Sequence, residues 1–322
     1  MEIEAGSYDK SMKQQVAALF SMQYGVSEKE FTDLIGNFYE HPYQAEKCIR
    51  IVALDGEKVV GFQSFFLWPY EYQGKVFRSY QSGNSLVHPD YRGKGIFQKL
   101  LHYLEKKREE LGVEFIMGFP INVSRNSLIR NGWKNIVDLQ WYVKPVRFLP
   151  VFGGNEDALL RRCFSAEAPA LPSQPAQEHI RLTTDPFFRE WRKNYSTATG
   201  HYYWFAYEEK DRKAVFQLKL IRRKKLIREL IVGDVIAQDN SRAFLAAAFT
   251  ALAKAARKTR CVHLISFAVN PASPYISHAT LADAGMNTID RHIFFAVKPF
   301  AEIPALSDPS KWILFRSDID TW

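Results

Sequence analysis

The sequence predicts a two-part α/β chain. Three observations carry that reading. Strand-like and helix-like stretches alternate along the 322 residues, a segment with four prolines and Gly153-Gly154 interrupts them over 148–180, and the order of elements before this segment returns after it. The expected division is therefore 1–147, a linker over 148–180, and 181–322.

Residues 10–24 and 27–39 read as helices, because Val16, Leu19 and Phe20, then Phe31, Leu34, Ile35 and Phe38, recur at helical spacing. Strands are expected at 48–54, 58–68, 74–87 and 113–120. Asp55-Gly56 turns the first two into a hairpin, and Pro69 and Gly74 bracket the next turn. A helix over 95–111 puts Phe97, Leu100, Leu101, Leu104, Arg108 and Leu111 on one side and stops at Gly112. A short helix over 123–131 ends at Gly132-Trp133, and a strand at 135–144 completes the first part.

The linker holds a short helix near 156–163, and the pattern then repeats. A helix is expected at 185–195, strands at 201–208, 214–221 and 226–236, and a long helix at 241–258 with Phe244, Leu245, Ala248, Phe249 and Leu252 inward. Strand 261–269, a short helix ending at Gly285-Met286 and strand 291–298 close the unit. The tail from Trp312 to Asp320 reads as an edge strand with an acidic end. Pro42-Tyr43, Trp68-Pro69-Tyr70 and Tyr202-Tyr203-Trp204 read as core and inter-part packing.

Composition narrows the function classes. Hydrophobic residues make up 47% of the chain, enough for packed cores, and the net charge of +8 suits a ligand bearing several phosphates as well as a polyanion. The densest charge run, Arg222-Arg223-Lys224-Lys225 with Arg228 beyond, lies between two strand-like stretches and reads as a solvated hairpin turn. No aromatic interleaving accompanies it, which argues against a nucleic-acid partner. Cys48, Cys163 and Cys261 are widely spaced and the histidines scattered, so no metal is expected, and unpaired thiols fit the cytoplasm. No signal peptide is read at Met1-Glu2-Ile3-Glu4-Ala5, and no apolar run approaches the roughly 20 residues that span a bilayer. Monomer and homodimer are both compatible with this composition.

The stretch that carries chemistry runs from Ser85 to Leu101. A strand ends at Val87, a basic turn with two glycines follows, and an amphipathic helix opens at Gly95. Free N–H groups at a helix start, glycines that let a ligand approach, and the charges of Arg92 and Lys94 together make a diphosphate site. It is not a nucleotide P-loop, lacking Gly-Lys-Ser/Thr, and Gln98 stands where a dinucleotide fingerprint has its third glycine.

The run Arg92-Gly93-Lys94-Gly95-Ile96-Phe97, preceded by Val87-His88-Pro89-Asp90-Tyr91, resembles the acetyl-CoA signature of the GNAT acetyltransferase superfamily, Arg/Gln-x-x-Gly-x-Gly/Ala after a strand. Phe97 departs from its last small residue. The resemblance covers about residues 1–147, and the loop 118–124 and the tail resemble bacterial two-part members. It implies an α/β (α+β) fold of two GNAT-like units, each a mixed, mostly antiparallel twisted sheet flanked by helices. The second unit is degenerate, with Asn240-Ser241-Arg242-Ala243 in place of the glycine turn.

The resemblance also implies a site. Acetyl-CoA would be held by Leu86, Val87, Arg92, Gly93, Lys94, Gly95, Ile96, Phe97 and Asn122, with a backbone N–H near Leu86 or Val87 meeting the thioester carbonyl. The acceptor would be a small-molecule amine or amino sugar entering between the two parts and attacking directly in a ternary complex. Many members carry a tyrosine acid four residues before the position of Gly132; here that position is Leu128. Catalytic candidates are Ser82 and Asn84 on the strand entering the turn and Glu71 on the preceding hairpin, beside Gln81, Ser85, Tyr72 and His88. Two other readings stay open: a non-catalytic acyl-CoA binder or scaffold, favoured by Leu128 and Phe97, and a basic nucleic-acid-binding module using 222–228.

Overall fold

The computed structural model describes residues 3–148, 155–172, 178–197, 201–224 and 226–322. Gly153-Gly154 of the expected linker and Lys225 of the basic run lie outside them.

The first part runs β1 (Glu4–Ser7), α1 (Lys13–Tyr24), α2 (Glu28–Leu34), β2 (Ile49–Asp55), β3 (Lys58–Leu67), β4 (Tyr70–Tyr72), β5 (Lys75–Val76), β6 (Ser79–Val87), α3 (Ile96–Lys107), β7 (Phe115–Gly118), α4 (Asn122–Arg130) and β8 (Lys134–Pro145). Next come α5 (Glu156–Leu160), β9 (Arg181–Leu182), α6 (Pro186–Thr197), β10 (Tyr202–Glu209), β11 (Arg212–Arg223) and β12 (Ile227–Ala237). The chain continues through α7 (Arg242–Thr259), β13 (Leu264–Val269), α8 (His278–Asp283) and β14 (Asn287–Pro299). The expected helix over 27–39 is α2 continued by a π-helical turn, Ile35–Tyr39, and the expected strand 74–87 is broken into β5 and β6.

Eleven strands form one sheet, in the order β1-β2-β3-β6-β7-β14-β8-β13-β12-β11-β10. All neighbours are antiparallel except β6–β7 and β12–β13. The fold is therefore the mixed, mostly antiparallel α/β arrangement expected. The centre holds a crossing that the linear pattern conceals: β14 pairs with β7 of the first part, and β8 pairs with β13 of the second. The last strand of each part lies in the other part's sheet. The exchange is pinned twice in the same way. Lys298 on β14 donates to the Asn131 carbonyl at the end of α4 (2.7 Å), and Lys144 on β8 donates to the Ala284 carbonyl at the end of α8. A lysine ammonium there satisfies orphan carbonyls at the negative end of a helix.

Apolar residues alternate across β2, β3 and β6, so the sheet has two faces to cover. On one, Val16 and Phe20 of α1 and Phe31 of α2 pack on Phe62, Phe66 and Trp68. On the other, Ile96, Leu100 and Leu104 of α3 pack on Ile51, Val60, Phe65 and Tyr80. Each fully buried side chain of this size contributes about 1.5–3 kcal/mol. In the second part α7 covers the sheet with Phe244, Leu245, Phe249 and Leu252. The aromatic clusters join the parts: Tyr43 stacks on Trp191 of α6 with centroids 5.7 Å apart, and Trp68 meets the same ring edge-on at 5.6 Å.

The tail does not form an edge strand. Trp312, Leu314 and Phe315 are buried, and the segment winds through the 3₁₀ turns Pro309–Lys311 and Arg316–Asp318. Its apolar residues find cover on both sides, which an edge strand would not give them. Arg192 of α6 donates to the backbone carbonyls of Ser317, Ile319 and Asp320 and fixes the path. In the basic run, Arg222 and Arg228 both pair with Glu156, and Arg223 pairs with Glu229 across the hairpin. No helix among the described residues is long and apolar enough to cross a membrane.

Candidate functional site

The site begins with a fork. β6 and β7 are parallel neighbours only at Ser79↔Phe115, Tyr80↔Ile116 and Gln81↔Met117, after which β6 runs on to Val87 beside β3 alone. The His88 N–H bonds the Val60 carbonyl of β3 (2.9 Å). Alternation along the strand therefore turns Leu86 toward β3 as well, and aims the N–H groups of Ser85 and Val87 into the fork. A bulge lies at its root: Gln63 opposes Ser85 while Phe65 opposes Ser82, so Ser64 faces both Gly83 and Asn84. Gly83 is obligatory there, since a Cβ would come within 2.7 Å of Ser64 Oγ and also strike the Phe66 ring.

The bulge gathers a polar network. Ser82 Oγ accepts from Gln63 Nε2 (3.2 Å), and Ser85 donates to Gln63 Oε1. On the opposite face, the Tyr39 hydroxyl donates to Asn84 Oδ1 (2.6 Å), and the Asn84 N–H donates to Ser64 Oγ (3.1 Å). Burial holds the Tyr39 hydroxyl well above its ordinary pKa, so it remains a donor. Ser82 and Asn84 thus both lie at the fork, with their side chains on opposite faces of β6. Glu71 does not join them: it sits in the small sheet β5-β4-β9, accepting from Thr183, beyond the far end of β6. Across the fork, a Cβ on Gly118 would sit 3.5 Å from Ser82 Cβ and 3.6 Å from the Trp133 ring. Trp133 and Leu128 are both buried, and Trp133 Nε1 has no acceptor. Gln81 Oε1 at the last paired position is also buried without a donor.

The basic turn stands at the mouth of the fork. Gly93 and Gly95 adopt left-handed backbone, φ 77° and 71°, and a Cβ on Gly93 would meet nothing within 4 Å. Lys99 makes the first α-helical bond, to the Gly95 carbonyl (3.1 Å). Hence the six consecutive N–H groups from Gly93 to Gln98 have no acceptor among the described residues. Arg92 donates to Gln23 Oε1 (2.8 Å), Lys94 lies over the Tyr91 ring (4.5 Å), and Tyr91 is anchored by Asp55 (2.7 Å). His88 is absorbed in the turn, its Nδ1 accepting from the Asp90 N–H (3.3 Å). Phe97 turns toward the sheet and packs against the core under α3. Asn122 is exposed at the first position of α4, which follows β7 as α3 follows β6, so two helix N-termini share one end of the fork.

These elements fit a diphosphate: unpaired amides, open space above Gly93, and flanking cations. Sequence reasoning missed Tyr39, Gln63 and Trp133. Tyr39 reads as one more helix-face aromatic, and only the register shift opposite Ser64 reveals its role.

The second part has its own fork, between β12 and β13 beyond Val232 and Phe267, with a matching bulge between Gln217 and Leu218. It is filled. The Trp322 ring lies where a Cβ on Gly233 would be, stacks on Tyr202 at 5.7 Å, and donates to Gln217 Oε1 (3.1 Å).

Residues 6–134 match the family model described as an acetyltransferase (GNAT) domain. This part of the chain is a GNAT domain. No curated protein matches the chain in sequence. Solved structures share the fold over almost its whole length. A GCN5-related N-acetyltransferase from Anabaena variabilis superposes with a TM-score of 0.63 at 13% identity, covering 92% of this chain and 73% of that one. An Enterococcus faecalis protein described as a probable N-acyltransferase gives 0.59 at 9%, covering 93% and 72%. Saccharomyces cerevisiae N-myristoyltransferase, solved with myristoyl-CoA, gives 0.50 at 12%, covering 94% and 80%.

Proposed function

We propose that the GNAT domain binds acetyl-CoA at the 88–97 turn and passes the acetyl group to the amine of a small molecule or amino sugar, by direct attack in a ternary complex. The observation that carries this reading is the row of six unpaired N–H groups, Gly93 to Gln98, opening beside the fork. The donor supplies an activated thioester. The N–H row, Arg92 and Lys94 hold its diphosphate, with each charge-assisted bond contributing roughly 1.5–3 kcal/mol. Leu86 and Val87 line the strand edge along which pantetheine extends, and Asn122 meets it from α4. The N–H of Val87 or Ser85 donates to the carbonyl oxygen as charge builds there.

The acceptor comes from the face of Tyr39 and Asn84. Tyr39 occupies the Asn84 carbonyl oxygen, which leaves the Asn84 NH₂ to orient the incoming group, while Ser82 keeps its own hydroxyl proton for the donor side. An amine with a pKa near ~10.4 must shed a proton to water before attack. No acid is required at Leu128, because thiols have pKa values near ~8.5. An acyl-cysteine is disfavoured: burial pushes the Cys48 thiol up to about 12 and raises Cys261 as well.

Thiol release from acetyl-CoA across an amine panel tests the reading. Amine-dependent release by the full chain, lost in Gly95→Val, is expected. CoA binding without such release would favour the non-catalytic binder, which Leu128 supports. Absence of CoA binding would remove both.

A further inference from the structure

α6 is amphipathic in an unusual sense: both faces are used. Phe188 and Trp191 point into the first part's core, while Arg189, Arg192 and Lys193 line a cavity of about 700 Å³ in the second part. That volume lies within the range of small-molecule sites. Its floor is the bulge of the second fork, at Gln217 and Asp234. Its walls mix apolar side chains, Leu171, Leu182, Tyr202 and Trp204 among them, with charged ones that include Glu167 and Glu190.

The cations around it are not equivalent. Arg161 is held by Asp157 (2.5 Å), and Arg192 is engaged by three tail carbonyls. Arg189 is different. Its Nε is buried with no acceptor, and its nearest carboxylate, Asp234, stands 3.6 Å away, beyond hydrogen-bond distance. A largely buried guanidinium that lines a cavity and is held by one long ion-pair contact is costly unless a ligand completes it. Arg181 adds like charge nearby, and burial lowers the Arg189 pKa.

We propose that this cavity binds a small carboxylate with an apolar, ring-sized body, its carboxylate on Arg189. The site is separate from the acyl-donor turn and does not depend on it. Arginine meets a planar carboxylate through two parallel N–H bonds, which the single long contact to Asp234 does not provide. The aromatic and aliphatic walls receive the body.

Benzoate and its neutral isostere benzamide are the probes, read by saturation-transfer NMR and tryptophan fluorescence on the full chain. Benzoate is expected to bind with a dissociation constant of about 1 mM, and benzamide at least about tenfold more weakly. Arg189→Gln should weaken benzoate about tenfold. Asp234→Asn should tighten it, because the competing carboxylate is removed. The two substitutions act in opposite directions, so general damage cannot imitate both, and Asp234→Asn decides alone if Arg189→Gln does not fold. Gly95→Val should leave benzoate binding unchanged. The proposal is overturned if benzoate fails to bind, if benzamide binds as well, or if a folded variant at either position does not shift as stated.

Discussion

Replacing Gly95 by valine puts the acyl-donor reading at greatest risk. Gly95 holds φ 71° at the N-cap of α3, and the only atom near a Cβ there is Gln98 Oε1 at 3.5 Å. Space is therefore available, and conformation is the obstacle. A non-glycine residue in left-handed backbone costs roughly 1–2 kcal/mol, and a β-branched one fits it worst. The turn relieves that strain by rotating the peptides on either side of residue 95, which swings N–H groups out of the row. Losing even one charge-assisted bond of about 1.5 kcal/mol lowers CoA affinity about tenfold. Calorimetric titration of CoA into the full chain measures this directly. Gly74→Val is the matched control: Gly74 has φ 79° and open space around it, in the β4–β5 hairpin away from the turn. It should lose similar stability and keep full affinity. A folded Gly95→Val protein that binds CoA as the wild type does would refute the assignment of the turn.

Three further outcomes are expected. Replacing Cys48, Cys163 and Cys261 together by alanine should leave turnover largely intact, and a trapped acetyl-cysteine in the mass spectrum would overturn direct transfer. Titration should give one CoA per chain, since Trp322 fills the second fork; two equivalent sites would mean that this fork opens. Burial raises Asp318 from 3.8 to about 7, so the stability tied to its protonated form is complete below about pH 4 and lost as pH rises through about 7. The stability of Asp318→Asn should gain on the wild type between about pH 4 and pH 7, by at most about 1.4 kcal/mol per pH unit, and level off above that; a constant difference across this window would contradict this.

The sequence made legible what local rules govern. Gly93 and Gly95 announce left-handed positions before a helix, Asp55-Gly56 a hairpin, and the apolar spacing of α3 and α7 their buried faces. The fork was not legible, because it depends on where β6 and β7 part, and residue pattern does not set pairing partners. Ser82 and Asn84 were singled out because they sit on the strand entering the turn, and the fork opens beside that strand. Glu71 lies close to them in sequence, but the β4–β5 hairpin carries it into a different sheet. The tail was misread because alternation in Trp312–Asp320 looks the same whether a segment lines an edge or is swallowed between two cores.

The exchange of β8 and β14 sets a timetable. As the chain emerges from the ribosome, β7 appears at residue 118, but the strand that covers its open edge ends only at Pro299. At about 5–20 residues per second that edge waits roughly 10–40 s. During that interval a buried-type strand, Phe115–Gly118, offers unpaired backbone to any passing chain. The donor turn at 88–97 is local and can order early, whereas the fork beside it takes its final width only when the last strand arrives. A nascent chain stalled anywhere between these points carries the 88–97 turn on an unfinished sheet, because β7 has no β14 to pair with.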